Sequence, residues 1–447
     1  MKGFGYEKRS SSGLKKIGLI LSLPFIILII GYTVYKLFLV PEPVIEGLDA
    51  FKSLPLEKTI TLNGNNIKSI NIYISQKGSK IELLRDAPEI DSKTYTLQVK
   101  PKELKLHDGP AKITVKARSG ILKEVNLEIN TIIDTVPPSL AVVSSPSFTH
   151  QGSGGFAVLR AKDADSVYVR LGDRRFTAFK ADPGTAQESL LNGKTGATDY
   201  HVFFPAPLDV EEGSIYYAVA EDIAGNQKVK SLFTKIRTKT FKTSSINIDA
   251  SFINTVVASL LGELNIPDPV KAFRTVNEGW REDSMEMLND ITKETVPEIL
   301  WEGRFLQLKN SKVMATYGER RTYYFKGEPI SSSVHLGYDL ASVSNAQVEA
   351  SNTGIVRFSG EIGIYGNTVI IDHGLGLMSL YGHLSEIMVK DGESVRKGDI
   401  IAKTGSTGLA GGDHLHFGIL MHGYEVSPLY WWDSRWIKSN ILNRLEK

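Results

Sequence analysis

The chain of 447 residues contains no cysteine. Disulfide frameworks, cysteine-ligated zinc fingers, iron–sulfur clusters and thiol catalysis are therefore excluded. Any transition-metal site must be built from histidines and carboxylates, which is the ligand set usual for catalytic zinc.

The chain also lacks an excess of charge of either sign. Its 52 lysines and arginines stand against 50 aspartates and glutamates, which leaves a formal net charge of +2. This balance gives no electrostatic reason to expect nucleic acid as a partner. Apolar residues make up 42% of the chain, which excludes a largely disordered protein. At roughly 150 residues per domain, the length predicts about two to four domains.

One long uncharged apolar run lies near the amino terminus, at residues 17–35. As a helix it would span roughly 28 Å, close to the hydrocarbon thickness of a bilayer. Because basic residues dominate residues 1–16, the positive-inside rule makes these a cytoplasmic tail and residues 17–40 a transmembrane anchor. We therefore expect a single-pass protein of the inner (cytoplasmic) membrane, with its bulk on the periplasmic or extracytoplasmic side. A cleaved signal peptide is the alternative, but the run ends in bulky residues without a small-x-small site.

The next 200 residues alternate apolar and polar side chains, as at Ile113, Val115 and Ala117, with turn signals between short runs. This pattern predicts two immunoglobulin-like β-sandwich domains, at 41–135 and 136–240. Two roles are open for them. They are a spacer or stalk, or they bind a cell-wall polymer or a cell-wall or division-protein partner.

The period changes near residue 244. Apolar residues within 253–264 recur on one helical face, and Asp268 followed by Pro269 is typical of an N-cap and first-turn proline. We predict a helical connector at 244–300 that packs on the following domain. The alternative is a segment that covers an active-site groove and keeps an enzyme latent.

Six of the nine histidines lie beyond residue 330. His414 and His416 are two apart in a strand-like segment and would share a face. His335 and Asp339 would lie about 13 Å apart on a straight strand, so a shared metal ion requires a bend, which we place at Gly337.

Several blocks over residues 308–430 identify a family: VMATYGERR, HLGYDLA, GNTVIIDHGLGLMSLYGHLSE and VKDGESVRKGDIIAKTGSTGLAGGDHLHFGI. This region resembles peptidase family M23, the lysostaphin-like or LytM-type zinc metallopeptidases that act on peptidoglycan. The resemblance implies an antiparallel β-sheet peptidase domain at 301–435, in a chain of mainly β class. It also implies a zinc endopeptidase that cuts peptide cross-links in bacterial peptidoglycan. Together with the apolar run at 17–35, this predicts a membrane-anchored, exported enzyme.

Carried over by position, the resemblance implies roles for individual residues. Three would bind a single Zn²⁺ ion: His335, Asp339 and His416. Two would be catalytic histidines that handle protons or steady the developing oxyanion: His383 and His414. Three more are candidates for substrate contact: Arg320, Arg321 and Tyr381. On a strand, Tyr381 and His383 would share one face.

Three alternatives remain open. A non-catalytic relative of this family that activates cell-wall amidases would have substituted ligand positions, whereas all five histidine and aspartate positions are filled here. An envelope-assembly protein with a vestigial peptidase would use the sandwich domains as adhesive modules. An exported peptidase could also act on proteins rather than on wall peptides.

Overall fold

The computed structural model describes residues 26–35, 41–88, 92–120, 123–181, 196–263 and 265–446. The predicted mainly β class is confirmed. The chain divides into two compact units, Met1–Pro137 with Asp222–Asn226, and Pro138–Glu221 with Gln227–Lys447.

The predicted membrane anchor lies partly outside the described residues. Residues 26–35 are helical. Within the described part of the chain, every helix is too short or too polar to cross a membrane.

The first unit is built from two β-sheets. Its strands are β1 (Val44–Glu46), β2 (Ser53–Leu54), β3 (Lys58–Asn65), β4 (Ser69–Gln76), β5 (Ser79–Asp86), β6 (Ser92–Val99), β7 (Gly109–Arg118) and β8 (Glu124–Ile133), with a 3₁₀ turn at Leu48–Lys52. The sheets have the orders β1-β3-β6 and β2-β8-β7-β4-β5. From Ile60 onward β3 alternates buried and exposed residues, and β4 alternates half-buried and buried residues, so each sheet contributes one apolar face to a common core.

The second unit begins with two further sheets. Their strands are β9 (Ser139–Ser144), β10 (Phe148–His150), β11 (Ser153–Lys162), β12 (Ser166–Leu171), β13 (Arg174–Thr177), β14 (Phe179–Lys180), β15 (Thr198–Ala206), β16 (Ile215–Glu221) and β17 (Gln227–Arg237). The orders are β14-β15-β11-β9 and β10-β17-β16-β12-β13. Strand β11 is buried on both faces: Ala157 and Leu159 pack between the two sheets, whereas Phe156 and Val158 pack against the carboxyl-terminal part of the chain.

A strand and several short helices follow. Strand β18 (Thr243–Ile248) precedes α1 (Ala250–Phe252), which continues through a π-helical turn (Ile253–Val257) into α2 (Ala258–Leu261). Next come α3 (Pro269–Arg274), a second π-helical turn (Thr275–Trp280) and α4 (Arg281–Ile291). Asp268 caps α3, since its carboxylate accepts a hydrogen bond of 3.0 Å from the backbone N–H of Lys271.

The carboxyl-terminal region contains thirteen more strands. They are β19 (Lys312–Ala315), β20 (Glu319–Phe325), β21 (Glu328–His335), β22 (Tyr338–Ala341), β23 (Gln347–Glu349), β24 (Gly354–Ile362), β25 (Gly366–Asp372), β26 (Leu377–Gly382), β27 (Glu386–Ile387), β28 (Ser394–Val395), β29 (Ile400–Lys403), β30 (Leu415–Met421) and β31 (Tyr424–Val426). Short helices lie at Gly363–Tyr365, Pro428–Tyr430, α5 (Ser434–Ile437), Lys438–Leu442 and α6 (Asn443–Leu445).

An eight-stranded antiparallel sheet dominates this region, in the order β19-β22-β30-β26-β25-β24-β28 with β31 beside β30. Two three-stranded sheets flank it, β18-β20-β21 and β23-β29-β27. Strand β18 pairs parallel with β20, so a segment preceding the helices is part of this fold.

Candidate metal centre

Three side chains converge at one end of the eight-stranded sheet. His335 is the last residue of β21, and Asp339 and His416 lie directly opposite each other on β22 and β30. The Oδ1 atom of Asp339 lies 2.9 Å from Nε2 of His335 and 3.0 Å from Nδ1 of His416. These two ring nitrogens are 3.2 Å apart. His335 and His416, which are 81 positions apart in the sequence, therefore meet in one cluster with Asp339.

Gly337 lies between the strands that carry His335 and Asp339, where the chain turns from β21 into β22. A Cβ atom on this glycine would lie 2.5 Å from Nε2 of His416. The residue is therefore needed for the close approach of the imidazole, and its backbone does not adopt a left-handed conformation.

The three side chains fit a zinc ion. Ligand atoms about 2.0–2.1 Å from a tetrahedral zinc lie roughly 3.3 Å from one another, close to the separations found here. Nδ1 of His335 lies 3.0 Å from the carbonyl oxygen of Thr316, which can only accept a hydrogen bond. That contact places the proton on Nδ1 and leaves the Nε2 lone pair directed at the cluster.

Burial and hydrogen bonding shift the pKa values of these groups. Burial alone would raise the pKa of Asp339, but its close contacts with His335, His414 and His416 outweigh burial and hold that pKa well below its usual value. Burial lowers the pKa of His416 to about 4. At neutral pH the cluster therefore presents a carboxylate and a neutral imidazole, the forms that bind metal ions.

Two more histidines stand beside the cluster. The ring of His383 lies 4.8 Å from that of His414 and 5.8 Å from that of His416, between centroids. Nε2 of His414 is 3.5 Å from Oδ1 of Asp339. His383 follows the end of β26 with a positive φ of 61°, which turns its side chain toward the site instead of continuing the strand.

Backbone carbonyls fix the ring orientation of both flanking histidines. Nδ1 of His383 lies 2.8 Å from the carbonyl oxygen of Thr407, and Nδ1 of His414 lies 2.8 Å from that of Gly412. Each Nδ1 therefore carries a proton. Nε2 of His383 keeps a lone pair, whereas Nε2 of His414 faces Oδ1 of Asp339. Burial alone would lower the pKa of His414, but the contact with Asp339 outweighs burial and raises that pKa. Burial lowers the pKa of His383 to about 3.

The three candidates for substrate contact differ in position. Arg320 is exposed on β20. Arg321 is largely buried, and one of its guanidinium nitrogens lies 3.3 Å from Oδ2 of Asp339. It contacts a cluster residue directly, which the sequence did not predict.

Tyr381 requires a correction. It is 1% exposed, pairs with Phe417 across β26 and β30, and its hydroxyl is bound to Ser351 inside the core. Because Phe417 and His416 alternate on β30, Tyr381 points to the face of the sheet opposite the histidines. Substrate cannot reach it there, and the alternation expected for Tyr381 and His383 ends where β26 ends.

Several residues support the histidines in ways that the sequence does not reveal. Thr316 and Thr407 act through their backbone carbonyls, which side-chain identity does not reveal. The ring of Tyr365 lies 5.3 Å from that of His416, and its hydroxyl donates a 2.6 Å hydrogen bond to the buried carboxylate of Glu425. The one signal in the sequence was Glu425, a carboxylate that closely follows the apolar strand β30.

Comparison with known proteins supports the resemblance. Residues 333–428 match the family described as peptidase family M23. DD-carboxypeptidase/endopeptidase Mpg of Neisseria meningitidis serogroup B is 41% identical over 96 residues, which is 22% of this chain and 22% of that protein. Peptidoglycan DD-endopeptidase ShyA of Vibrio cholerae serotype O1 is 32% identical over 120 residues, 26% of this chain and 27% of that protein.

A third relative is named as a lipoprotein and not as a peptidase. The lipoprotein NlpD/LppB homolog of Pseudomonas aeruginosa is 37% identical over 100 residues, 22% of this chain and 33% of that protein. The chain thus matches between about a fifth and a third of the length of these relatives. Residues 333–428 form an M23 peptidase domain, and the predicted family resemblance is confirmed.

Proposed function

We propose that this chain is a membrane-anchored, exported zinc endopeptidase that hydrolyses peptide cross-links of bacterial peptidoglycan. One observation carries the proposal: the ligand atoms of His335, Asp339 and His416 converge, and two further histidines flank them. The relatives named as a carboxypeptidase/endopeptidase and a peptidoglycan endopeptidase support the substrate class.

Three protein ligands are the number found at catalytic zinc sites, which keep a further position for water or substrate. His335, Asp339 and His416 would hold the ion. A zinc ion at such a site supplies Lewis acidity, which activates water and polarises the scissile carbonyl.

His383 and His414 supply the proton chemistry. Each donates its Nδ1 proton to a backbone carbonyl, so Nε2 is the atom through which each would accept a proton and later return it to the departing amine. A protonated ring at either position would donate a hydrogen bond to the developing oxyanion. The two histidines have separate backbone supports, so each keeps its orientation when the other is substituted.

The site is most accessible on the side of His414 and Asp339. Their side chains are 16% and 14% exposed, against 6% for His335 and His416. Substrate therefore approaches from the His414 side. An opening at the end of a sheet suits a polymer, which cannot enter a closed cavity.

The uncharged run at 17–35 and the basic residues before it support the membrane anchor, with the catalytic region on the extracytoplasmic side. The sheets of residues 41–237 would hold the peptidase within reach of the wall. A stalk role requires no ligand, so we propose it in preference to a binding role.

Digestion of purified cross-linked wall peptides by the full-length chain tests this proposal, with mass analysis of the products. We expect cross-linked dimers to be converted to monomers by peptide hydrolysis. His414→Ala should slow cleavage by about 10²–10⁴-fold, the usual contribution of a general acid or base. The matched control is His107→Ala, which removes an exposed histidine of the first unit.

Three outcomes would contradict the proposal. Cleavage of an unfolded protein substrate but not of wall peptides would favour a protein-directed peptidase. Stimulation of a separate amidase without cleavage would favour an activator. Equal cleavage by His414→Ala and His107→Ala would remove the histidine from the mechanism.

A further inference from the structure

The two oxygens of Asp339 face different surroundings. Oδ1 faces the histidine cluster, whereas Oδ2 lies 3.3 Å from a terminal guanidinium nitrogen of Arg321. The same guanidinium contacts Oε2 of Glu319 through two nitrogens, at 3.2 and 3.3 Å. Arg321 thus bridges a metal-binding carboxylate and a second carboxylate that takes no part in the cluster.

Glu319 is buried and is fixed by a segment far away in the sequence. Its side chain is 5% exposed. Its Oε1 accepts a short hydrogen bond from the hydroxyl of Ser244 and lies 3.0 Å from Nζ of Lys242. Burial alone would raise the pKa of Glu319, but its bonds to Ser244, Lys242 and Arg321 outweigh burial and lower that pKa, so the side chain is anionic at neutral pH.

The parallel pairing of β18 with β20 explains this contact. Ser244 is in register with Arg321, and the backbone N–H of Arg320 donates a 2.8 Å hydrogen bond to the carbonyl of Lys242. The register brings the Ser244 hydroxyl to the Glu319 carboxylate. Strand β18 precedes the matched residues 333–428 by about 85 positions, so the family match does not contain it.

The charges of Asp339, Arg321 and Glu319 affect how strongly a metal ion would bind. A guanidinium beside a ligand carboxylate orients it through a charge-assisted hydrogen bond, but it also repels a divalent cation. An anion on the other side of the guanidinium cancels most of that repulsion. The hydrogen bond from Arg321 then still orients Asp339, while the repulsion between the guanidinium and the metal ion is largely cancelled.

We propose that Glu319 and Arg321 are positioning residues for the metal-binding carboxylate of Asp339, and that β18 holds this pair in place through Ser244. The inference rests on the proposed function, since it assumes that the cluster binds zinc. It extends the functional site to a strand outside the M23 match and gives Arg321 a role other than substrate contact.

The test measures zinc affinity of the full-length chain by competition with a chelator, with no substrate present. Glu319→Gln keeps the shape of the side chain but leaves Arg321 uncompensated, and we expect zinc binding to weaken about 10-fold, within the range for residues that support metal ligands. Adding Arg321→Met to this variant should recover affinity by about 3-fold, because the unbalanced cation is gone.

A structural role alone predicts the opposite sign for the second substitution. If the pair served only to stabilise the fold, Arg321→Met added to Glu319→Gln would weaken zinc binding further or leave it unchanged. Either result would overturn the proposal, as would wild-type affinity in Glu319→Gln.

The contribution of β18 is tested at two adjacent serines. Ser244→Ala should weaken zinc binding about 3-fold, and Ser244→Thr, which keeps the hydroxyl, should restore it. Ser245→Ala is the matched control, because Ser245 is exposed on the same strand. Equal affinities for Ser244→Ala and Ser245→Ala would contradict a role for β18. A wild-type chain that binds no zinc would overturn the proposed function as well, whereas the other results affect this proposal alone.

Discussion

Neighbouring residues of β30 project to opposite faces of the eight-stranded sheet, and different parts of the chain cover the two faces. Leu415, Phe417 and Ile419 pack with the aromatic side chains of Phe305 and Trp431. The alternate residues are His416, Gly418 and Leu420. Of these, Leu420 packs with the helical segment that follows β18.

The first face packs into a core of large apolar side chains. The helices cover the histidine face at Ile370, Met378, Leu380 and Leu420, and the end of this face carries the cluster of His335, Asp339 and His416. One face is therefore buried in an apolar core, and the other combines a part covered by helices with the end that carries the histidine cluster. The predictions below separate these contributions.

The strongest contrast is expected between adjacent residues. Phe417→Ala should lower the free energy of unfolding by about 3–5 kcal/mol, because it opens a cavity in the aromatic core. His416→Ala should abolish zinc binding and cleavage but cost under about 2 kcal/mol of stability. Denaturant unfolding of metal-stripped protein measures both. A larger loss of stability in His416→Ala than in Phe417→Ala would break the distinction between the faces.

The covering helices are tested at α4. Leu288 is 1% exposed against the histidine face, and Leu288→Ala should cost about 2–4 kcal/mol of unfolding free energy. Met285, on the same helix, is 43% exposed, and Met285→Ala should change stability by less than about 0.5 kcal/mol. Below the unfolding transition, neither substitution should change zinc affinity. A rise in cleavage on Leu288→Ala would instead favour a helical segment that keeps the enzyme latent.

A pH dependence is expected from a histidine outside the cluster. His373 is fully buried between the carbonyl of Thr353 and the hydroxyl of Ser379, and burial lowers its pKa from 6.5 to about 4. The unfolded chain binds this proton more readily, so the stability contribution is complete above pH 6.5 and is lost as pH falls toward 4. The loss amounts to about 3 kcal/mol.

Denaturant midpoints between pH 7 and pH 4 measure this effect. In His373→Gln the decline should be smaller, because that position no longer titrates. An unchanged slope would contradict the assignment to His373.

The smallest effect is expected at Tyr381. Its hydroxyl accepts a 2.7 Å hydrogen bond from the backbone N–H of Ser351, so Tyr381→Phe leaves a buried donor unpaired and should cost about 1–3 kcal/mol. The KM for wall peptides should stay within about twofold of wild type, since the residue lies on the face that packs into the apolar core. A large rise in KM would instead support the earlier prediction that Tyr381 contacts substrate.

The sequence predicted the parts that depend on local pattern. Strand alternation indicated the mainly β class, and the cap at Asp268 followed from its neighbour Pro269. The reach from His335 to Asp339 required a bend, and the chain does turn at Gly337. These features depend on residues a few positions apart, so short-range geometry is sufficient.

Contacts between distant segments could not be predicted. Tyr381 was misplaced because alternation was continued beyond the end of β26, where His383 takes a positive φ. The bond from Ser244 to Glu319 arises from a parallel pairing between strands about 75 residues apart. Neither a strand's end nor its partner is determined by the residues within it.

The most direct test of the account is the zinc content of the purified full-length chain, compared between wild type and His416→Ala. We predict one zinc per wild-type chain, and none in the variant, with cleavage of wall peptides lost in parallel. A wild-type chain that cleaves peptidoglycan without bound zinc, or a variant that retains both metal and cleavage, would contradict it.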